Sequence, residues 1–191
     1  SICLEVESLL TRAAAIDSTN PEPAQVLSSL RIEQGRPEEA FAMLRKSMSL
    51  WFHPDSSTSP EAHGSEEDVG MESAEVDLTH GTAARGTELE EEQLPAYEFR
   101  IETVKLLLEL DDTTETALEV AVHLLSENDR VPDTWHLYAL CLHAGGNFED
   151  ALKAIEDGRR VCKETGMADD DDIFLSFAEL EEAVKASMSA G

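Results

Sequence analysis

Repetition at a fixed interval constrains this chain more than any other feature. A short pattern recurs three times, as GRPEEA at Gly35 to Ala40, DTTETA at Asp112 to Ala117 and GNFEDA at Gly146 to Ala151. Ala117 and Ala151 stand 34 residues apart, the length of one helix–turn–helix unit in a stacked array. Ala40 and Ala117 stand 77 apart, one such period plus 43. That excess nearly equals a 41-residue stretch, 54–94, which lacks aromatic residues and is spread with Ser, Thr, Gly, Pro and Glu. The stretch reads as a disordered insertion, too poor in apolar surface to order itself, placed between two repeats without disturbing their register.

Elsewhere apolar residues recur at helical spacing, and Pro, Gly, Asn and Asp interrupt them every dozen or so residues. The pattern predicts helices over 3–16, 22–34, 37–52, 95–110, 114–127, 133–144, 148–163 and 171–187, and no sheet. The third copy fits a tetratricopeptide hairpin best. Trp135, Tyr138, Ala139 and Leu142 take the large and small core positions of its first helix, helix A, and Ala151, Ile155 and Gly158 take the packing face of its second, helix B. In the first copy Leu27, Leu30, Ala40 and Leu44 fit, with Arg31 where an aromatic is expected. In the second Val104, Leu108, Ala117 and Ala121 fit, with Lys105 and Asp112 at positions usually small or Gly. Residues 3–16 read as helix B of an earlier repeat. Ile173, Phe174, Phe177, Leu180 and Val184 form the stripe of a capping helix, with Asp169 to Asp172 at its positive N-terminal end. The expected fold is therefore an all-α tetratricopeptide-repeat solenoid with a C-terminal capping helix. A partial repeat and the first full repeat occupy 1–53, the acidic insertion 54–94, and two further repeats with the cap 95–191.

Charge narrows the partners. The chain carries 14 Lys and Arg against 41 Asp and Glu, a net −27, of which the insertion supplies −11. Nucleic acid is thereby excluded as the main partner, and the folded part is acidic in its own right. The insertion is either a solvated linker or an acidic arm that samples a basic partner. Cys3, Cys141 and Cys162 form no CxxC pair, so neither a disulfide framework nor a thiolate zinc site is indicated, and a reducing compartment is expected. No apolar run reaches membrane-spanning length, and acids stand where a signal peptide would carry bases, so a soluble, intracellular protein is expected.

No phosphate-binding loop, nucleophile elbow or HExxH zinc motif is present. His136 and His143 lie seven apart near Cys141, a spacing that does not make a metal site; His123, His53, His63 and His80 join no constellation. No cofactor, no metal and no catalysis are expected, and the chain reads as a binding scaffold. A metal-dependent hydrolase built on His136, His143 and nearby carboxylates is the competing class.

The resemblance to tetratricopeptide arrays implies a concave face lined by helix A, at the family's second, fifth, ninth, twelfth and thirteenth positions of each repeat. Carried over by register, these are Glu22, Gln25, Ser29, Ile32 and Glu33, then Phe99, Glu102, Leu106, Glu109 and Leu110, then Asp133, His136, Leu140, His143 and Ala144. Five are acids and none is Lys or Arg. A groove that captures acidic peptide tails needs the opposite sign, so a basic extended segment is the better match, drawn in by charge and selected by the apolar contacts Phe99, Leu106 and Leu140. A generic scaffold inside a larger complex, binding through apolar patches, is the alternative.

Particular strings add to this. NPEP at Asn20 to Pro23, SLW at Ser49 to Trp51 and YEFR at Tyr97 to Arg100, with the DTWHLYALCLHAGGNFEDALKAI segment, resemble the fungal family of dedicated assembly chaperones of ribosomal protein L4. The resemblance covers most of the chain outside the insertion. It implies a non-enzymatic chaperone that holds newly made L4 in a 1:1 complex, shields its long basic internal loop, accompanies it from cytoplasm to nucleus and releases it to pre-ribosomal RNA.

Overall fold

The computed structural model describes residues 2–53, 94–168 and 171–190. Two units are separated, 1–52 with 95–191 and 53–94. Apart from its edges, the second unit lies outside the described residues, as do the expected insertion and the acids Asp169 and Asp170.

The first unit is built of eight helices among the described residues: α1 (Ile2–Ile16), α2 (Glu22–Glu33), α3 (Pro37–Met48), α4 (Tyr97–Leu108), α5 (Thr114–Glu127), α6 (Pro132–Ala144), α7 (Phe148–Glu164) and α8 (Asp172–Ala190). It is all-α, as the periodicity requires. Prolines stand in the first helical positions of α2, α3 and α6, where their fixed φ suits a helix and their missing N–H costs nothing. Three helices stop the same way. Gly35, Gly146 and Gly166 adopt φ of 67°, 76° and 78°. The N–H of the residue after each then reaches back five residues, as in Arg36 to Arg31 O and Asn147 to Leu142 O, both 2.9 Å, closing orphan carbonyls.

Successive hairpins α2/α3, α4/α5 and α6/α7 stack so that α2, α4, α6 and α8 form a row of A helices, each packed on the next. A contiguous apolar core lies at the C-terminal end. Ala139, Leu142, Ala151, Ile155, Phe177, Leu180 and Val184 are buried together there, with Ile173 and Phe174 packed at its edge, so α8 covers the last repeat as a cap. Gly158 makes this possible. A Cβ at that position would lie 2.3 Å from Phe177 Cζ, so only glycine lets α7 and α8 come together.

The first and second hairpins each differ in one way from the sequence expectation. First, α3 stops at Met48, not at residue 52. Ser49 to Trp51 turn, and Trp51 becomes buried with its ring 6.4 Å from Phe99. Second, the stretch from the buried face of α4 to Ala117 holds one residue more than its counterparts, and the α4–α5 turn, 109–113, has five residues where the others have three. Asp112 takes the left-handed conformation (φ 59°) five residues before Ala117, where Gly35 and Gly146 precede Ala40 and Ala151. The extra residue is absorbed there, with Leu110 buried and Thr113 Oγ1 donating to the carbonyls of Leu107 and Leu110.

In α1 the residues in register with the buried Ala117, Val120, Ala121 and Leu124 of α5 are Val6, Leu9, Leu10 and Ala13, equally apolar. Leu9 is 60% exposed. The helix is held to α2 by Glu7, whose carboxylate accepts from Arg31 (2.6 and 3.1 Å) and Gln34 (3.0 Å). These bonds depress the Glu7 carboxyl to about 2.

Candidate protein-interaction face of the A helices

The long α4–α5 turn changes which residues of α4 face outward. Counting back from Ala117 puts Lys105 in register with Ser28 and Ala139, yet those two are wholly buried and the Lys105 side chain is half exposed. Burial aligns Val104 with Ser28 and Ala139, Leu107 with Leu142, and Thr103 with Leu27. The five outward positions of α4 are therefore Glu98, Ile101, Lys105, Leu108 and Glu109, replacing Phe99, Glu102, Leu106, Glu109 and Leu110. Leu106 and Leu110 are buried and line no open face. Phe99 is partly buried against Trp51. Glu102 is exposed and pairs with Lys105 at 3.2 Å.

In the first and third copies the register stands, but the roles divide. Gln25 is buried: its Nε2 donates to Phe99 O (3.0 Å) and its Oε1 accepts from Thr103 Oγ1 (2.7 Å), so it joins α2 to α4. His136 lies edge-on to Phe177, centroids 5.3 Å apart, and burial pushes its pKa down. His143 Nε2 is 3.0 Å from Ser187 Oγ. Both histidines are thus engaged by α8, and Leu140 packs at the edge of the same core. These side chains position helices.

Five of the seven exposed positions are acids, the other two being Lys105 and Ala144. Glu22, Glu98 and Asp133 occupy the second position of three successive A helices, all exposed; Glu33 and Glu109 occupy the thirteenth, also exposed. Among the described residues none of the five forms an ion pair, and Lys105 is the one cation at the fifteen positions. Unpaired carboxylates at both ends of adjacent helices give the row a negative field that neighbouring bases do not cancel. Glu98 was missed by counting from helix B; the signal in the sequence is that a lysine cannot occupy a fully buried small position.

The remaining chemistry is quiet. Burial pushes the Cys141 thiol up to about 12 and raises Cys162, so neither supplies a thiolate at neutral pH. Among the described residues no group of three or more His, Cys, Asp or Glu is gathered for a metal ion. No described helix is long and apolar enough to cross a membrane.

The family model described as "Bacterial transcriptional activator domain" matches residues 16–173. A protein of Emericella nidulans named "Probable assembly chaperone of rpl4" is 29% identical over 136 residues, 71% of this chain and 27% of that protein. One of Schizosaccharomyces pombe with the same name is 28% identical over 125 residues, 65% of this chain and 27% of that protein. A solved structure, "Assembly Chaperone of RpL4 (Acl4) (Residues 1-338)", superposes with a TM-score of 0.51 at 28% identity, covering 78% of this chain and 40% of that one. This chain thus spans about a quarter of the length of the curated relatives it matches. The relatives agree with the resemblance read from Asn20 to Pro23, Ser49 to Trp51 and Tyr97 to Arg100. The chain belongs to the family described as the bacterial transcriptional activator domain, and fungal assembly chaperones of rpl4 are among its relatives.

Proposed function

We propose that this chain is the client-holding part of a non-enzymatic chaperone for ribosomal protein L4, and that the exposed acidic row of its A helices receives a basic segment of that client. The observation that carries the reading is the coincidence of two independent facts: relatives named for L4 assembly, and acids at the same outward position of α2, α4 and α6. A basic loop destined for RNA is a hazard while unassembled, since it binds polyanions indiscriminately. Carboxylates in a row neutralise it reversibly, and they cannot outcompete ribosomal RNA, whose charge is denser. Attraction over a Debye length speeds capture and fades with salt. In this reading the complex is 1:1, forms in the cytoplasm and enters the nucleus with its client.

The test places the charge as well as counting it. Glu22→Lys, Glu98→Lys and Asp133→Lys together reverse the row; Glu38→Lys, Glu115→Lys and Glu149→Lys reverse three exposed acids in the first turns of the B helices. Both sets change net charge equally. The A-helix set is expected to weaken L4 binding by about tenfold or more, with a shallower salt dependence, and the B-helix set by far less. Equal losses would reduce the effect to net charge. Salt-independent binding that survives both sets would favour the apolar scaffold.

A further inference from the structure

The A helices are joined in very different ways along the row. At the α6–α8 joint Phe177 sits where Gly158 leaves no room for a Cβ, backed by Ile155, Leu180 and Val184. At the α4–α6 joint the Tyr97 hydroxyl lies 2.8 Å from Thr134 Oγ1 and 3.2 Å from the carbonyls of Leu124 and Asn128, so it ties α4 to α5 and α6 at once. α5 also packs along α6.

The α2–α4 joint has neither device. Among the described residues α3 packs along its length on α2, with no comparable packing on α4. The joint consists of the Gln25 amide held between Phe99 O and Thr103 Oγ1, with Trp51 on Phe99 and Phe52 edge-on to His123 beside it. The hydrogen bonds here are short and complete, which gives the docked position a definite geometry, but they are exchanged for bonds to water when the joint opens. Among the described residues the Trp51 indole N–H is buried with no partner, and opening would hydrate it. By sequence, 40 residues lie between His53 and Leu94, so the two sides of the joint are not neighbours along the chain.

We propose that α1–α3 is a hinged arm that docks on α4 through the Gln25 latch, with Trp51 and Phe99 as its apolar seat, and that it undocks as one cooperative unit while α4–α8 stays folded. The arm carries Glu22 and Glu33 and the body carries Glu98, Glu109 and Asp133, so undocking divides the acidic row between α2 and α4. The inference rests on the joint itself and holds whatever the row binds.

The two tryptophans report the two sides separately, since Trp51 lies at the joint and Trp135 in the third repeat, its indole N–H on Asp129 O at 2.7 Å. In Trp135→Phe protein the remaining Trp51 fluorescence is expected to shift red at a lower urea concentration than Trp135 does in Trp51→Phe protein. About a third of the helical circular dichroism, the share of α1–α3, should be lost with the first step. Gln25→Leu should lower the first midpoint and leave the second in place. Because a substitution at the joint can perturb the fold, native-state hydrogen exchange on the unaltered protein gives the second measurement: the slowest amides of α1–α3 should share one opening rate, at least tenfold faster than those of α6–α8. Coincident transitions of both tryptophans, or uniform exchange across the two sides, would overturn the hinge.

Discussion

The two ends of the helical row solve the same packing problem with opposite chemistry. At the C-terminal end α6, α7 and α8 interlock through volume, with a phenyl ring seated where a glycine has been kept free of a side chain. At the N-terminal end α2 meets α4 through direction, a single amide whose donor and acceptor are both met. Volume complementarity excludes water and strengthens with every contact made. A buried amide pair gains little net free energy, because water would serve the same groups, yet it penalises every misaligned arrangement. The first joint holds and the second specifies.

Removing the volume should do the most damage. Phe177→Ala empties the seat above Gly158 and is expected to destabilise the α6–α8 end by about 3–5 kcal/mol in a urea titration followed at Trp135. Gly158→Ala attacks the same contact from the other side; its Cβ would also meet Trp135 Cβ at 2.9 Å, and an overpacking cost of about 1–3 kcal/mol is expected. An Ala variant as stable as the parent would show that the ring can move aside and that the joint is looser than described.

Two smaller effects follow from titration. His136, desolvated beside Phe177, resists protonation in the folded state. The unfolded chain then binds the extra proton first, so its contribution to stability is full above the ordinary histidine pKa of 6.5 and declines as the pH falls below it. The α6–α8 end should lose stability between pH 7 and pH 5, and His136→Gln should flatten that slope, with Asp133 and Glu179 as the carboxylates that moderate it. At the other end Glu7 is depressed from 4.5 to about 2 by Arg31 and Gln34. Its contribution is present above 4.5 and is lost as the pH falls through 2. Protection of α1 amides, taken relative to their intrinsic exchange rates, should fall over that window, and Glu7→Gln should remove the dependence.

Much of this fold is legible in the sequence because helix hairpins announce themselves locally. The alanines at 40, 117 and 151 are each wholly buried, and the glycines or Asp112 five residues before them do adopt left-handed backbone. The capping stripe of α8 is read correctly for the same reason: its period is its own. The outward face is less legible, since it depends on counting across a turn. Gly35 and Gly146 give no warning that the corresponding stretch between the buried face of α4 and Ala117 holds one residue more. Nor could periodicity tell that Gln25, His136 and His143 are spent on neighbouring helices, because that depends on where α4 and α8 come to lie. The early end of α3 is likewise a tertiary effect. Trp51 is worth more buried against Phe99 than left on a continuing helix.

That extra residue between α4 and α5 has a meaning for how such an array can change. Each residue advances a helix by about 100° of rotation, so a count that had to be honoured along the chain would swing α4 far enough to bury Lys105 and expose Val104. The turn with Asp112 acts instead as slack, accommodating one more residue while both flanking helices keep their inner faces inward. Insertions and deletions at this point can therefore alter the numbering of a repeat without altering its surface, and homologues aligned residue by residue across it will be compared on the wrong faces.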